Sequence, residues 1–563
     1  MTDETRELPP GWVWARLEEI ADLKGGIQKG KKREASDVLR TVPYLRVANV
    51  QRGYLDLTEV TDIGATETEI DQLRLKPGDV LFNEGGDRDK LGRGWVWNGE
   101  ISECIHQNHV FRARILGRCI IPRLLSWWGN TAGQRYFFDE GKQTTNLASL
   151  NMTKLGRLPV VIPPSAEQQR ILDALDSHIP RLDAAVASLE RVQRNLKRYR
   201  ASVLQAAVEG RLVPTEAELA KKEGRSYEPA SKLLERILVE RRRQWIEREA
   251  EKAVVKAKAK ADKRCVAADN AAALEQARTV VAKKYEEPTA PDTENLSELP
   301  EGWCWATVDQ IMVGIDAGSN FRCDERPPDR DEFGVVKVSA VTWGVFDDAE
   351  SKTCVGRSLV DSRAIIRVDD FLISRANTIQ LVGACVIVHA VTRQVMLSDK
   401  ILRLRLVGGL DRWLLWVLRS QLGRRQIESL ATGNQESMRN ISQASIARIC
   451  VPLPPMSEVG RLIETVDRNL SIGDELMVTA RAGARKNQAL RQSILRWAFE
   501  GKLVDQDPND EPTSVLLDRI KTERAAGEPA KRGAPRGRKQ KAPKVEAQAQ
   551  SITQKPVAAG GVR

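Results

Sequence analysis

Leu8-Pro9-Pro10-Gly11-Trp12-Val13-Trp14-Ala15 returns later in the chain as Leu299-Pro300-Glu301-Gly302-Trp303-Cys304-Trp305-Ala306, an offset of 291 residues. The offset persists outward from that pair. VPYLRVANVQRGYLD (42–56) lies over FGVVKVSAVTWGVFD (333–347), KPGDVLF (76–82) over RVDDFLI (367–373), and HVFRARI (109–115) over KILRLRL (400–406). Pro163-Pro164 matches Pro454-Pro455, and Glu209-Gly210-Arg211-Leu212-Val213 matches Glu500-Gly501-Lys502-Leu503-Val504. The register slips by one residue near 116–140 and recovers. One spacing held over about 200 residues marks a duplication rather than a biased composition. The chain of 563 residues is therefore one unit written twice, with connectors and a tail.

Each copy divides in two. In the first, YLRVANV, DVLF, WVW and VFRARI read as short strands between Gly- and Asp-containing turns, and IPRLLSWWGNTAGQRYFF as helix. This part is expected to be an α+β globule of mixed α/β character. Residues 165–209 change character. Ser165-x-x-Gln168 after Pro163-Pro164 is a helix start, and Gly210 a stop. Leu175, Leu182, Leu189, Leu196 and Val203 fall every seven residues, the heptad of a coiled coil. At about 1.5 Å per residue such a helix is about 65 Å long. Pro180 should kink it or delay its start. The second copy's counterpart, 456–500, contains Gly473 and Gly483 and is less regular. The expected architecture is two globules with two long helices pairing as an antiparallel coiled coil, an internal pseudo-two-fold repeat. Residues 228–237 resemble 511–520 and each opens a further helix. The first of these runs through a charged, Ala-rich stretch toward Tyr285 and reads as solvated; 286–300 reads as a linker.

The formal net charge is +11, from 88 Lys and Arg against 77 Asp and Glu. Residues 521–563 alone hold eleven basic and three acidic residues, so +8 belongs to a Pro/Gly/Ala/Lys-rich tail expected to be disordered. The body is close to neutral, and nucleic-acid binding has to be argued from its loops. No run of 18 apolar residues and no apolar leader core is present, which points to the cytoplasm.

Catalytic signatures are missing. Gly25-Gly26-Ile27-Gln28-Lys29-Gly30-Lys31-Lys32 has the spacing of a phosphate loop. It lacks the terminal hydroxyl for magnesium, and LEEIADLK before it reads as a helix turn rather than a strand. Asp22-Leu23-Lys24 matches only a loose nuclease tripeptide. Ile162-Pro163-Pro164-Ser165 lacks both the polar first and the aromatic last residue of an amino-methyltransferase tetrapeptide. The eight cysteines form no CxxC and read as free thiols. His106-x-x-His109 has no third ligand nearby and reads as a surface or strand-edge pair, not a metal site.

In order, found twice, the features are Leu-Pro-x-Gly-Trp-x-Trp, a short helix and Gly loop, a YLRVANV-like strand, a Gly-x4-Asn/Gln region, Pro-Pro, a long helix, and Glu-Gly-Arg/Lys-Leu-Val. In this order the chain resembles the specificity (S) subunits of type I restriction–modification systems, over roughly residues 8–240 and 299–524. The resemblance implies a non-catalytic reader of double-stranded DNA that recognises an asymmetric bipartite site. It implies target recognition domains at 1–160 and 299–452 and the family's conserved long helices at 161–213 and 453–504. A connector would occupy 214–298, a short helical extension 505–524, and the tail 525–563. It implies partners: two methyltransferase (M) subunits and restriction/translocase (R) subunits. S-adenosylmethionine, Mg and ATP are expected on those subunits and no cofactor or metal on this chain. The competing readings are a self-contained DNA-modifying enzyme, which needs the missing motifs, and a coiled-coil scaffold that binds no DNA.

Base readout uses Arg or Lys for guanine and Asn or Gln for adenine. In the first globule Lys29, Lys31, Lys32 and Arg33 are candidates for phosphate, and Asn49, Gln51, Arg52, Arg88, Lys90, Arg93, Gln143 and Asn146 for bases or backbone. The second offers Arg322, Arg326, Thr342, Arg375, Asn377, Gln380, Asn434, Gln435 and Arg439. Trp12, Trp14, Trp303 and Trp305, at matching domain starts, read as structural anchors rather than stacking platforms.

Overall fold

A computed structural model describes residues 7–30, 34, 37–143, 148–260, 270–294, 296–320, 322–356, 360–435 and 438–527. The chain forms two compact units, 1–179 with 491–563, and 180–490. No helix among the described residues is long and apolar enough to cross a membrane.

In the first unit Val13–Arg16 pairs antiparallel with Pro159–Ile162, so the globule closes where it opens. Its main sheet runs Ala21–Gly25, Val110–Ile115, Val80–Asn83, Gly94–Val96, all antiparallel. A second sheet orders Ile105–His106, Arg40–Leu45 and Thr61–Ala65. The second unit repeats this plan. Cys304–Thr307 pairs with Cys450–Leu453. The main sheet is Met312–Ala317, Ile401–Leu406, Phe371–Ser374, Cys385–Ile387, and the second sheet gains an edge strand at Cys323–Asp324. Val80, Leu81 and Phe82, like Phe371, Leu372 and Ile373, are buried on both faces, which explains their continuous apolar runs.

The Trp pairs close each unit. Trp12 Nε1 donates to Glu167 Oε2 at 2.8 Å, and Trp303 Nε1 donates to Glu458 Oε1 at 3.0 Å. Both carboxylates lie at the first turn of a long helix. Burial pushes both above the usual carboxylate range, against the bonds they accept. Trp14 packs edge-on against Trp128, while Trp305 donates its indole N–H to Ser297 O.

The first long helix, Ser165–Val208, stays helical through Pro180. The turn that Pro180 weakens is preceded by Ile171, Leu172, Leu175 and Ile179, all buried in the first unit, which hold the helix despite the lost N–H. Its far end, Val203 to Val208, packs in the second unit with Trp303, Leu233 and Ile237. The second long helix, Met456–Ala498, likewise ends in the first unit, where Phe499 packs edge-on against Trp128 at 5.2 Å between centroids. The extensions follow suit: Ala230 N donates to Gly302 O, and Thr513 N donates to Gly11 O. Each repeat's Trp start is thus covered by the other repeat's tail end.

Three expectations change. The stretch before the Gly loop is not all helix, because Ala21–Gly25 is a strand of the main sheet. Yet Gly26 serves packing: an added Cβ there meets His106 O at 1.9 Å, so the glycine allows one backbone to cross another. The charged stretch after Ala230 is not a solvated helix. Ala230–Lys260 and Asn270–Ala282 pair through Arg278–Glu247. Buried Arg241 bonds Asp309 and Met312 carbonyls and Tyr285 Oη. His106 lies on the edge strand of the second sheet, as one of the two readings had it, but is fully buried, with Nδ1 2.6 Å from Val110 O.

Burial lowers the His106 imidazolium to about 4. A histidine depressed in the folded state stabilises above its unfolded pKa of about 6.5 and loses that contribution as pH falls toward 4, an upper limit of about 3 kcal/mol. The first unit is expected to weaken over this window, and His106→Gln to flatten the slope. Denaturant unfolding of both proteins at pH 7, 5.5 and 4.5 checks it.

Candidate nucleic-acid interface

Each unit carries a third, small sheet beside its main one, built from segments distant in sequence. In the first unit the order is Lys142–Gln143, Ala148–Ser149, Gly85–Gly86. In the second it is Ala376–Asn377, Met438–Asn440, Thr432–Gln435. The strand pairing of Gly85–Gly86 with Ala148–Ser149 recurs in Ala376–Asn377 with Arg439–Asn440, and two flanking backbone bonds recur with it. Glu84 N donates to His109 O and Leu150 N to Glu84 O, while Arg375 N donates to Lys400 O and Ile441 N to Arg375 O. Gly433 belongs to this hairpin because its φ is +131° and an added Cβ would meet Met438 O at 2.6 Å.

On that shared backbone the side chains are exchanged. The first unit has Glu84 hydrogen-bonded to His109 Nδ1 at 2.6 Å. The second has Arg375 and Lys400 at the same two places, so the local charge reverses. Gly86 in one is Asn377 in the other. Arg and Lys side chains can donate to phosphate or guanine, while a carboxylate–imidazole pair offers a different hydrogen-bonding pattern.

The structure gathers some predicted residues here. In the first unit Arg88 and Lys90 form the 3-10 turn after Gly85–Gly86, and Gln143 lies in the sheet. In the second, Asn377, Asn434, Gln435 and Arg439 lie in the sheet, with Arg375 just before it. Gln380 is close by, its carbonyl accepting from Trp343 Nε1 at 2.8 Å, which brings in the Thr342 segment.

Other residues are engaged elsewhere. Asn49 is 3% exposed and spends its amide on Asp56 O and Glu59 O while accepting from Arg46 N. Gln51 and Arg52 sit on the hairpin Val50–Gln51/Tyr54–Leu55, where Gln51 bonds Ala48 O and Arg52 bonds Gln134. Of the residues beside the small sheet, Arg88 also lies 3.9 Å over the Phe138 ring and Lys90 pairs with Asp87, while Arg93 donates to Val47 O. Arg326 pairs with Glu332 at 2.7 Å, and the guanidinium hydrogen bond holds that carboxyl down at about 2. Arg322 flanks the edge strand of the second sheet, away from the small sheet in the chain's topology. Lys29 is exposed on the Gly loop. Lys31, Lys32, Arg33 and Asn146 lie outside the described residues.

Sequence reasoning passed over Glu84, His109 and Lys400. The 291-residue offset was the signal that finds them, since it pairs Glu84 with Arg375 and His109 with Lys400. Among the described residues, no group of three His, Cys, Asp or Glu side chains is placed to hold a metal ion.

No protein-family model matches the chain. It is 21% identical over 541 residues to the type I restriction enzyme EcoKI specificity subunit of Escherichia coli K12, covering 92% of this chain and 97% of that protein. It is 25% identical over 362 residues to the EcoEI specificity subunit of Escherichia coli, covering 56% of this chain but only 54% of that relative's length. A solved chain from a study of complex assembly and conformational transition of the type I R-M system superposes with a TM-score of 0.50. The match is at 16% identity over 88% of this chain and all of that one, a likeness of fold. The end-to-end match and the twice-built framework make the chain similar to type I restriction enzyme specificity subunits over nearly its whole length.

Proposed function

We propose that the chain is the non-catalytic DNA-reading subunit of a type I restriction–modification complex. It binds an asymmetric two-part site, each small sheet serving one part. The observation that carries this reading is the reuse of one framework with exchanged contact residues, Glu84/His109 against Arg375/Lys400. A duplicated framework suits two half-sites, and exchanged side chains make their sequences differ. Half-sites on one face of B-DNA recur at about 34 Å per turn.

The two long helices pair as an antiparallel coiled coil and dock two methyltransferase subunits, with restriction/translocase subunits joining through them. Leu189 meeting Gly483, and Arg200 paired with Asp474 at 2.9 Å, support the pairing. S-adenosylmethionine, Mg and ATP belong to those partners, and this chain holds none.

The test co-expresses the chain with its modification subunits in a host free of adenine methylation and maps N6-methyladenine. One interrupted, asymmetric motif that vanishes without this chain is the expected result. An uninterrupted palindrome, or methylation that persists without the chain, overturns the reading.

A further inference from the structure

In the second unit Cys323 stands directly across the antiparallel ladder from Cys354, on strands Cys323–Asp324 and Ser351–Cys354. Opposed Cα atoms in such a ladder lie about 4.5–5.5 Å apart, inside the roughly 4.4–6.8 Å that a disulfide spans. Both cysteines are partly exposed, resting on the apolar cluster around Val335, Val395 and Met396. The strand bearing Cys323 is the sheet's edge, so a small reagent reaches it without unfolding.

We infer that Cys323 and Cys354 are a site of reversible disulfide formation, oxidised by a small-molecule disulfide. Both are free thiols in the structure. Burial, reinforced by the neighbouring Cys323 thiol, pushes Cys354 up to about 11. The first attack falls to Cys323, which stands on the edge strand where the reagent arrives. Its sulfur bonds one sulfur of the reagent and expels the other as thiolate. Cys354 then gives its proton to solvent and attacks the Cys323 sulfur, expelling the second thiolate. The protein pair loses two electrons and the reagent gains them.

The pair is particular to this unit. At the 291-residue offset the first copy has Lys32 and Ile63, so the fold does not require it. Other described cysteines lack such a partner: Cys104, Cys119 and Cys385 are buried, and Cys304 and Cys450 oppose Leu453 and Thr307. The link would fasten the edge strand lying between Arg322 and Arg326, where Thr353 N already donates to Arg326 O at 3.0 Å.

The test incubates the full chain with oxidised glutathione, blocks remaining thiols by alkylation, and maps peptides by mass spectrometry. A dominant Cys323–Cys354 link is expected, with two fewer free thiols, restored by dithiothreitol. Cys354→Ser should stop at a glutathione adduct on Cys323, and Cys354→Ile, which places the first copy's residue there, should behave alike. Adducts without the internal link in the unaltered protein, dominant links through Cys265, or no reaction overturn the inference. No DNA enters the readout, so its outcome is separate from that of the recognition reading.

Discussion

Replacing Arg403 by Met is expected to destabilise the second unit by about 3 kcal/mol or more, the scale for removing one partner of a buried ion pair. Arg403 is 2% exposed and Asp370 7%. Nη1 donates to Asp370 Oδ2 at 2.8 Å and Ile365 O at 2.9 Å, and Nη2 donates to Asp316 Oδ2 at 2.9 Å. Although burial acts against it, Arg248, Arg403 and Arg405 together hold Asp316 below the usual carboxylate range. Without Arg403, Asp370 keeps the backbone bond from Arg367 N at 2.8 Å and a 3.6 Å contact to half-exposed Arg405, and loses its nearest cation while staying buried. Arg112, the matching residue of the first copy, is equally buried, but its partner Asp22 is 60% exposed and can take up water. Arg112→Met should therefore cost clearly less. Hydrogen exchange over residues 304–453 for Arg403→Met and 13–162 for Arg112→Met, with denaturant unfolding of each, measures both. A loss near 1 kcal/mol for Arg403→Met, or equal losses for the two, would sink the argument.

The double change Arg375→Ala, Asn377→Ala is expected to weaken specific DNA binding about 100-fold, at about 1–3 kcal/mol per base-contacting residue. Discrimination should fade in one half-site only, because the first unit keeps its own sheet. Strand pairing survives, since Asn377 pairs with Arg439 through backbone and Arg375 holds Lys400 and Ile441 the same way. Arg326→Ala is the comparison: its guanidinium is already bound to Glu332, so a change of only a few-fold is expected. Affinity for the cognate site and for unrelated DNA is measured at one salt concentration. An equal fall on both DNAs, or relaxed reading of both half-sites, would show that the small sheet does not read sequence.

Much of this was legible in the residues. The Gly-Trp starts, the Gly-Asp strand segments and the closing Glu-Gly motifs announced a repeated α+β unit, because short apolar runs and turn residues are local signals. The candidate interface was legible only in part. Arg375, Asn377, Asn434, Gln435 and Arg439 were named separately, but nothing local shows that 376–377 pairs with 438–440. Asn49 misled for the same reason: a loop asparagine that caps its own turn looks like one free to read a base until its burial is known.

The sequence by itself determined the duplication, the strand and helix content, and the long helices, since each follows from periodicity and turn chemistry along a short stretch. Only the tertiary structure decided which ends meet. Glu-Gly-Arg-Leu-Val and Glu-Gly-Lys-Leu-Val are nearly interchangeable in composition, and either suits either Trp start. The choice falls to rigidity, because an unbroken helix of 44 residues cannot turn back on the globule it leaves. The last turn of each helix is therefore buried against the other repeat, and that pairing is a property of the folded backbone rather than of any motif in the chain.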